Sequence, residues 1–473
     1  MTIVRPTSRI AHWVASLPRQ RTREVQSLAV DGIRDLIGCM IAGTLEPPSQ
    51  KAIRVALAWG RGSSSIAGID HTVSAPASAF ANGTAAHVLD FDDSFAPLTG
   101  HPSAPIVPAL LALGEELGSS GAAILDAYVV GIEVLATIAR VANPSHYAMG
   151  WHSTATIGRI GSAAACARLL GLDAAQTTAA ISIAMSSSAG TRLQLGSPMK
   201  SVHAGFAARD AVIAARLAAE GMTGGSEVLA GERGFQGLYT MSHAGEEAFT
   251  VPGEGEPLAI VSPGITFKPY PTCGSTHRSL DALLFLKTEH RFSGDDVDSA
   301  VLSIPALNVK NLIYDRPASG LEAKFSMPYC AALALEQGSL RLGDFDDAAI
   351  ERPRIQALMP RIVMETTPGS EHTEKDYLDL PAHTTVRLKD GSTLSDERYV
   401  RRGSLSSPMS DQEHAGKFRD CAGRVFGHSE TERLLELISN LPVTPDVRLF
   451  TSLLRQTKSQ VASSTDASHH AAR

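Results

Sequence analysis

The 473-residue sequence predicts a mainly α-helical protein, with a large all-helical domain and a smaller inserted α+β domain. Two patterns lead to this fold class. Up to residue 261, apolar side chains recur at the three- and four-residue spacing of buried helix faces. Residues 262–402 instead contain short, β-branched, alternating runs that are typical of strands. The chain is expected to return to helix over residues 411–440, so we predict a discontinuous helical domain of residues 1–261 and 403–455.

Capping residues place several helices of the first region. A long buried helix is expected after Thr22, because apolar and small side chains line one face of the segment that follows. Ser119 and Ser120 are candidate caps for a second long helix. Asp173 and Gln176 have the spacing of a capping box. Residues 161–190 are rich in Ala, Ser and Gly, so helices there are expected to approach closely.

Strands of the inserted domain are expected around Val301, from Arg361 and from His383. The last of these segments contains Asp390-Gly391, a strong signal for a tight hairpin turn. A helix is expected within residues 273–290. The inserted domain therefore combines a small sheet with at least one helix.

Composition and charge exclude several classes of function. The net charge is -7 and the isoelectric point is about 6.1, so nucleic acid and anionic membranes are not expected as partners. Five scattered cysteines without CxxC spacing argue against a disulfide framework and favour a cytoplasmic location. Uninterrupted apolar stretches are all shorter than the roughly 18 residues of a membrane span. Residues 456–473 have low hydrophobicity and are expected to be disordered.

The stretch His87–His101 contains three aspartates, Asp90, Asp92 and Asp93, between two histidines. Hard divalent cations prefer carboxylate oxygens, and a solvated loop is the plainer alternative. A carboxylate beside an imidazole also suits proton transfer near neutral pH. The spacing matches no zinc signature, so we predict no metal and regard Asp90 and His101 as the catalytic pair. Asp92 and Asp93 are expected to hold the loop and the next helix start.

Two further candidates stand at helix starts. His152 precedes a helix of small residues and could act as a base or merely cap that helix. Lys200 begins another helix, where free N–H groups and the positive end of the helix dipole attract anions. A lysine is more usual at the other end of a helix, so Lys200 indicates an anionic ligand.

Residues of the inserted domain add more cationic and polar groups. Lys268 precedes Pro269-Tyr270-Pro271, whose restricted dihedrals stiffen the backbone around it. His277 and Arg278 enter the next helix and are candidate substrate ligands. Tyr314 could be a general acid or a half-buried aromatic residue. Together these groups predict a site for a small polycarboxylate, and since dinucleotide, P-loop and pyridoxal motifs are missing from the sequence, we predict no cofactor.

Six stretches of the sequence resemble the MmgE/PrpD family in order and spacing, over nearly the whole chain to about residue 455. They are HVLDFDDSFAPLTGHPSAPIVPAL, GWHSTATIG, MKSVHAGFAARDAVIAARLAAEG, GERGF, FKPYPTCGSTHRSLDA and EAKFSMPYC. That family includes 2-methylcitrate dehydratase, cis-aconitate decarboxylase and iminodisuccinate epimerase. The resemblance implies a helical domain, a smaller α+β lid, a homodimer and an active site between the domains.

The resemblance also implies roles for individual residues. Those that match the decarboxylase branch are Asp90, His101, His152, Lys200, Lys268 and Tyr314. Lys200, Lys268 and His101 would bind substrate carboxylates while His152 moves a proton at the neighbouring carbon. Tyr314 or His101 would protonate a departing hydroxyl group. Ser94 is a further candidate substrate ligand and stands where that branch carries threonine. The stretch from Asp90 to His101 is one residue longer, so the exact substrate stays open.

The predicted function is that of a cofactor-independent lyase. It would be a dehydratase or decarboxylase of a small di- or tricarboxylic acid such as 2-methylcitrate or cis-aconitate. One alternative is an epimerase of an amino-dicarboxylate such as iminodisuccinate. A second is a non-catalytic carboxylate-binding dimer, against which the retained cationic and imidazole positions argue.

Overall fold

The computed structural model describes residues 5–242, 244–370 and 380–455. Helix accounts for 58% of the structure and strand for 9%, which confirms the mainly α fold class with a small sheet domain. The predicted disordered tail, 456–473, lies outside the described residues.

The chain divides into two compact units. One consists of residues 1–266 and 414–473, and the other of residues 267–413. The sequence placed the corresponding boundaries slightly earlier in the chain, at residues 262 and 402. Each unit has its own hydrophobic core, and the two are described separately below.

The first unit is built from helices and one short β-hairpin. Its helices before residue 266 are α1 (Pro6–Ser16), α2 (Arg23–Gly43), α3 (Pro47–Ala58), α4 (Ala75–Val88), α5 (Ser103–Leu117), α6 (Gly121–Ala142), α7 (Ser145–Ala148), α8 (Ser153–Leu170), α9 (Ala174–Ser186), α10 (Met199–Ala219) and α11 (Phe235–Tyr239). The hairpin strands are β1 (Arg61–Ser65) and β2 (Thr72–Val73), which pair antiparallel and were not predicted.

Side-chain caps begin three helices of this unit, and two of them, at Ser120 and Asp173, confirm predicted caps. Thr22 accepts a hydrogen bond from the Val25 amide at the start of α2, and Ser120 accepts one from Ala123 at the start of α6. Asp173 and Gln176 form the reciprocal capping box at the start of α9. Each cap satisfies amide groups that have no partner within the helix, which explains why the starts at Ser120 and Asp173 were readable from the sequence.

Small residues let the central helices of this unit approach closely. Helix α10 packs against α4 and α8, and α6 packs against α8. A Cβ atom added to Gly83 of α4 would lie 3.0 Å from the Cα atom of Gly205 in α10. Because His87 lies in the last turn of α4 and Lys200 in the first turn of α10, this close packing brings two predicted polar regions together.

Helix α6 is the one described helix that is long and apolar enough to cross a bilayer by length and composition. In the most apolar 18-residue stretch of α6, 89% of the residues are buried within the protein. Such burial is typical of a central core helix, because a core helix is apolar on all sides.

The second unit surrounds a four-stranded sheet. Its helices are α12 (His277–His290), α13 (Ala306–Val309), α14 (Gly320–Ala323), α15 (Met327–Gln337), α16 (Asp347–Ile350) and α17 (Pro353–Leu358). Its strands are β3 (Val297–Ile304), β4 (Ile362–Thr366), β5 (Ala382–Leu388) and β6 (Thr393–Arg398). Helices α12 and α15 supply leucines to the core beside the buried face of β3.

The sheet has the order β4-β3-β5-β6. Strand β3 pairs parallel with β4 and antiparallel with β5, and β5 and β6 form the predicted hairpin. Gly391 in its turn has φ 92°, a left-handed conformation that glycine adopts without strain. The strand segments and the hairpin expected from the sequence are therefore confirmed.

The chain re-enters the first unit within α18 (Asp411–Ala422). Two further helices follow, α19 (His428–Ser439) and α20 (Arg448–Thr451). The sequence suggested one helical stretch over residues 411–440, but residues 423–427 interrupt it. The break lets α18 and α19 each bury an apolar face, including Phe418 and Leu434.

Candidate functional site

The segment between α4 and α5, residues 89–102, carries the three aspartates. Two of its non-glycine residues, Asp90 and Thr99, have positive φ angles of 54° and 50°. Ser94 exchanges two main-chain hydrogen bonds of 2.8 Å with Thr266, which fixes the middle of the segment. The aspartate side chains are therefore held by a defined backbone, and their carboxylates point to different partners.

A buried lysine from α18 anchors this segment. The Nζ atom of Lys417 donates a hydrogen bond of 2.7 Å to the Phe91 carbonyl and lies 4.0 Å from the centre of the Phe91 ring. It also lies 2.6 Å from a carboxylate oxygen of Asp35 in α2. Burial acts to lower the pKa of Lys417, but the Asp35 carboxylate outweighs this and raises it. Lys417 therefore stays charged and ties α2 and α18 to the residue that precedes Asp92.

Asp93 holds the start of α5, as predicted. Its carboxylate accepts hydrogen bonds from the amide and the hydroxyl of Ser103, and the same hydroxyl lies 2.7 Å from the Tyr128 hydroxyl. Burial raises the pKa of Asp93 well above its ordinary value. Asp93 is a structural residue, since its hydrogen bonds are made with Ser103 at the start of α5 and not with an imidazole or a lysine.

Asp92 does not hold the helix start and instead contacts two imidazoles. Its Oδ2 atom lies 2.8 Å from Nδ1 of His87 and 3.2 Å from Nδ1 of His101. The rings of the two histidines meet edge to face, with centroids 4.5 Å apart. One buried carboxylate oxygen therefore serves both rings.

Asp90 brings Lys200 and His101 together. The ammonium group of Lys200 binds Oδ1 of Asp90, and Nε2 of His101 lies 3.6 Å from the same oxygen. The main-chain amide of His101 donates to the Thr154 hydroxyl at 3.0 Å, which ties the His101 backbone to α8. Three of the predicted site residues, Asp90, His101 and Lys200, thus form one connected group.

His152 stands at the N-cap position of α8, but its side chain makes no capping hydrogen bond. Its Nδ1 atom instead lies 3.2 Å from Nδ1 of His203 in α10. Its ring stacks with that of His87, with centroids 5.9 Å apart. The capping role considered for His152 is therefore wrong, and its imidazole lies in one cluster with those of His87 and His203. We call this cluster the polar group; its members are His87, Asp90, Asp92, His101, His152, Lys200 and His203.

Burial and neighbouring charges give these groups different protonation states. Burial lowers the pKa of His152 well below its usual value, and His87 and Lys200 lower it further. Burial also lowers the pKa of His87 to about 4. For Asp92, burial acts to raise the pKa, but His101 and His87 outweigh it and hold that pKa well below its ordinary range. Near neutral pH the site therefore contains an ionised Asp92 and two neutral imidazoles.

The side chains of His87, Asp92 and His101 are also close enough to hold one metal ion, since their candidate ligand atoms lie within 4.8 Å of one another. The contact of 2.8 Å between His87 and Asp92 is a hydrogen-bond distance, which accounts for the arrangement without an ion. The expectation that the site uses no metal stays a prediction.

Ser94 lies in the first unit, and the four remaining predicted site residues belong to the second unit. Lys268 is buried there, and Tyr314 is half-buried in the segment between α13 and α14. His277 is buried with Nε2 lying 3.3 Å from the Thr272 carbonyl. Arg278 donates to the main-chain carbonyls of Leu380 and Tyr399. These contacts stabilise the second unit, and the proposed substrate-binding roles of the four residues stay predictions.

Three residues of the polar group were not among the predicted site residues: His87, Asp92 and His203. A signal for the first two was present, because a histidine in the last turn of a helix and an aspartate five residues later lie close when the chain reverses. The Lys417 anchor has no local signal, since Asp35 and Phe91 are far from it in sequence.

Sequence profiles of known families match most of the chain. The MmgE/PrpD N-terminal domain matches residues 8–247, and the MmgE/PrpD C-terminal domain matches residues 270–442. Together the two matches cover the stretches on which the resemblance was based, except for residues 267–269.

Three individual relatives have the same name. Cis-aconitate decarboxylase of Homo sapiens is 31% identical over 389 residues, which cover 80% of this chain and 79% of that protein. The Mus musculus protein of the same name is 29% identical over 388 residues, covering 80% and 78%. Cis-aconitate decarboxylase of Aspergillus terreus is 25% identical over 481 aligned positions, covering 95% of each chain.

Proposed function

The chain belongs to the MmgE/PrpD family, and we propose that it is a lyase that decarboxylates a small tricarboxylic acid of the cis-aconitate type. The observation that carries this proposal is the connected group of Lys200, Asp90 and His101 beside the neutral imidazole of His152. The group offers a fixed cation for a carboxylate and an imidazole for proton transfer, which are the two functions that such a reaction needs.

Lys200 is the proposed ligand of a substrate carboxylate. It lies in the first turn of α10, where helix N–H groups and the helix dipole favour an anion. Its ion pair with Asp90 places the ammonium group, and the Lys200 side chain remains 17% exposed. A substrate anion can therefore approach a charge that is already in position.

His101 is the proposed proton donor. Loss of carbon dioxide breaks the carbon–carbon bond to one carboxylate and leaves its electron pair on the substrate, where a proton must be added. Both nitrogens of His101 face carboxylates, so a proton on either nitrogen has an anion beside it. His152 is less suited to this step than the sequence suggested, because its lowered pKa keeps it neutral. It would instead accept a proton in a dehydratase or epimerase.

Other features of the function rest on the family resemblance and are proposed with it. Lys268 is proposed to bind a second carboxylate and Tyr314 to act as an acid. We also propose a cytoplasmic homodimer without a cofactor. Light scattering measures the mass in solution, and activity after chelator treatment tests the absence of a metal requirement.

The reaction is tested with chelator-treated protein in deuterium oxide. The substrates are cis-aconitate, citrate, 2-methylcitrate and iminodisuccinate, and proton NMR follows each. We expect cis-aconitate to lose carbon dioxide and the product to contain deuterium at the newly protonated carbon. Elimination of water from citrate or 2-methylcitrate, without loss of carbon dioxide from cis-aconitate, would identify a dehydratase. Deuterium exchange into iminodisuccinate without net change would identify an epimerase.

A further inference from the structure

Exposure changes from one side of the polar group to the other. The side chains of Asp90, His101 and Lys200 are 11%, 13% and 17% exposed, whereas those of His87 and Asp92 are both 0% exposed. The first three can meet a small molecule from solution. His87 and Asp92 lie behind them and act only through the residues in front.

His101 stands at the boundary between these two layers. Its Nδ1 atom lies 3.2 Å from the buried Asp92, and its Nε2 atom faces Asp90, the partner of Lys200. A neutral imidazole carries its hydrogen on only one of the two nitrogens. Asp92 is ionised, and although its contact with His101 lacks hydrogen-bond geometry, its charge 3.2 Å from Nδ1 favours the tautomer with hydrogen on that nitrogen. Asp90 lies farther away, 3.6 Å from Nε2, and its charge is offset by Lys200.

His87 fixes Asp92 in this orientation. It is neutral and donates from Nδ1 to the Oδ2 atom that His101 also contacts, at 2.8 Å. The carbonyl of Phe91, next to Asp92 in the chain, is held by the buried Lys417. The groups that act electrostatically on or from Asp92 are His87, His101, Asp35 and Asp93. Among these, His101 alone extends to the exposed layer.

We propose that Asp92 is a positioning residue that keeps hydrogen on Nδ1 of His101, so that Nε2 is the nitrogen that takes up a proton from solvent and passes it to the substrate. The transfer of a proton to the substrate rests on the proposed function. The position of the hydrogen on His101 does not, because it is a property of the protein without substrate. Asp92 is assigned no contact with the reacting atoms.

The tautomer of His101 is measured on the whole protein labelled with ¹⁵N-histidine, with chelator and without substrate. Long-range ¹H–¹⁵N spectra separate protonated from unprotonated ring nitrogens, and the His101→Gln spectrum identifies the His101 signals. We expect hydrogen on Nδ1 in the unmodified protein. In Asp92→Asn we expect a mixture of tautomers or hydrogen on Nε2. An unchanged tautomer in a folded Asp92→Asn protein would overturn the proposal.

Steady-state kinetics, measured with the acid that the unmodified protein converts, provide a second readout. In Asp92→Asn we expect kcat to fall by 10²- to 10⁴-fold, the usual contribution of a positioned acid or base, with KM changed less than threefold. Asp93→Asn is the matched control, because it makes the same change at the next residue, whose carboxyl contacts Ser103 and no imidazole. It should keep kcat within about threefold. Equal losses in both variants would contradict a specific role of Asp92.

His87→Leu distinguishes the effect of His87 from that of Asp92. It also tests the proposal if Asp92→Asn fails to fold. Since Asp92 remains, we expect hydrogen to stay on Nδ1 of His101 and kcat to fall less than tenfold. A tautomer change in His87→Leu would reassign the effect to His87 and overturn the proposal. If the unmodified protein converts none of the acids but shows the expected tautomers, the proposed function fails and the positioning role stands.

Discussion

The ammonium group of Lys200 binds the carboxylate of Asp90, and Asp90 presents that carboxylate from a left-handed backbone conformation with φ 54°. Residues other than glycine seldom adopt this conformation, which costs on the order of 1–3 kcal/mol. Aspartate is among the least disfavoured, because its short polar side chain can bond locally. The surrounding structure therefore maintains a costly conformation at the point where a lysine meets a carboxylate.

Replacing Lys200 by methionine should weaken the binding of a polycarboxylate. We expect the Kd of tricarballylate, a saturated tricarboxylate, to rise about 10- to 150-fold, since a hydrogen bond to a charged group contributes about 1.5–3 kcal/mol. Isothermal titration calorimetry measures this change. Lys51→Met is the matched control, because Lys51 is an exposed lysine of α3. An unchanged Kd in Lys200→Met would remove Lys200 from the binding site.

The two histidines His101 and His152 should differ in their effect on decarboxylation. We expect His101→Gln to lower kcat by 10²- to 10⁴-fold, because it removes the proton donor. His152→Asn should lower kcat by less than His101→Gln, because burial keeps His152 neutral and unsuited to donate. Initial rates of carbon dioxide release measure both variants. The reverse order of losses would assign the proton transfer to His152.

Stability should depend on pH through His87. Burial lowers its folded-state pKa from the ordinary 6.5 to about 4, so the unfolded chain binds the proton first as the pH falls. The free energy of unfolding should therefore be highest above pH 6.5 and decrease towards pH 4, with about 3 kcal/mol from this residue. Urea unfolding at several pH values measures the slope. In His87→Gln the slope between pH 6.5 and pH 4 should be smaller, and an equal slope would contradict the assignment.

The buried pair of Lys417 and Asp35 should be important for stability. Lys417→Met leaves the Asp35 carboxylate buried without its cation, which should lower the free energy of unfolding by about 3–5 kcal/mol. The double variant Asp35→Asn/Lys417→Met should recover part of that loss. Arg433→Met is the control, because it breaks an exposed pair with Glu436 and should cost less than about 1 kcal/mol. Urea unfolding at pH 7 compares the three variants.

Short-range patterns of residues in the sequence were enough to predict many elements of the fold. The caps at Ser120 and Asp173 involve residues three positions apart, and the hairpin turn at Asp390-Gly391 depends on adjacent residues. Such features depend on nearby backbone groups, so composition and spacing reveal them. The unpredicted hairpin of β1 and β2 is short and has little alternation, with serines in most of β1.

The sequence by itself determined the fold class, the helix starts and the supply of imidazole, lysine and carboxylate groups. Only the tertiary structure decided their partners: that Asp92 serves His87 and His101, that Asp93 holds α5, and that Lys417 anchors the loop. Adjacent aspartates look equivalent in a sequence because they share one chemistry. Their different roles arise from burial and from neighbours on other helices, since these decide which carboxylate is ionised and which ring it orients.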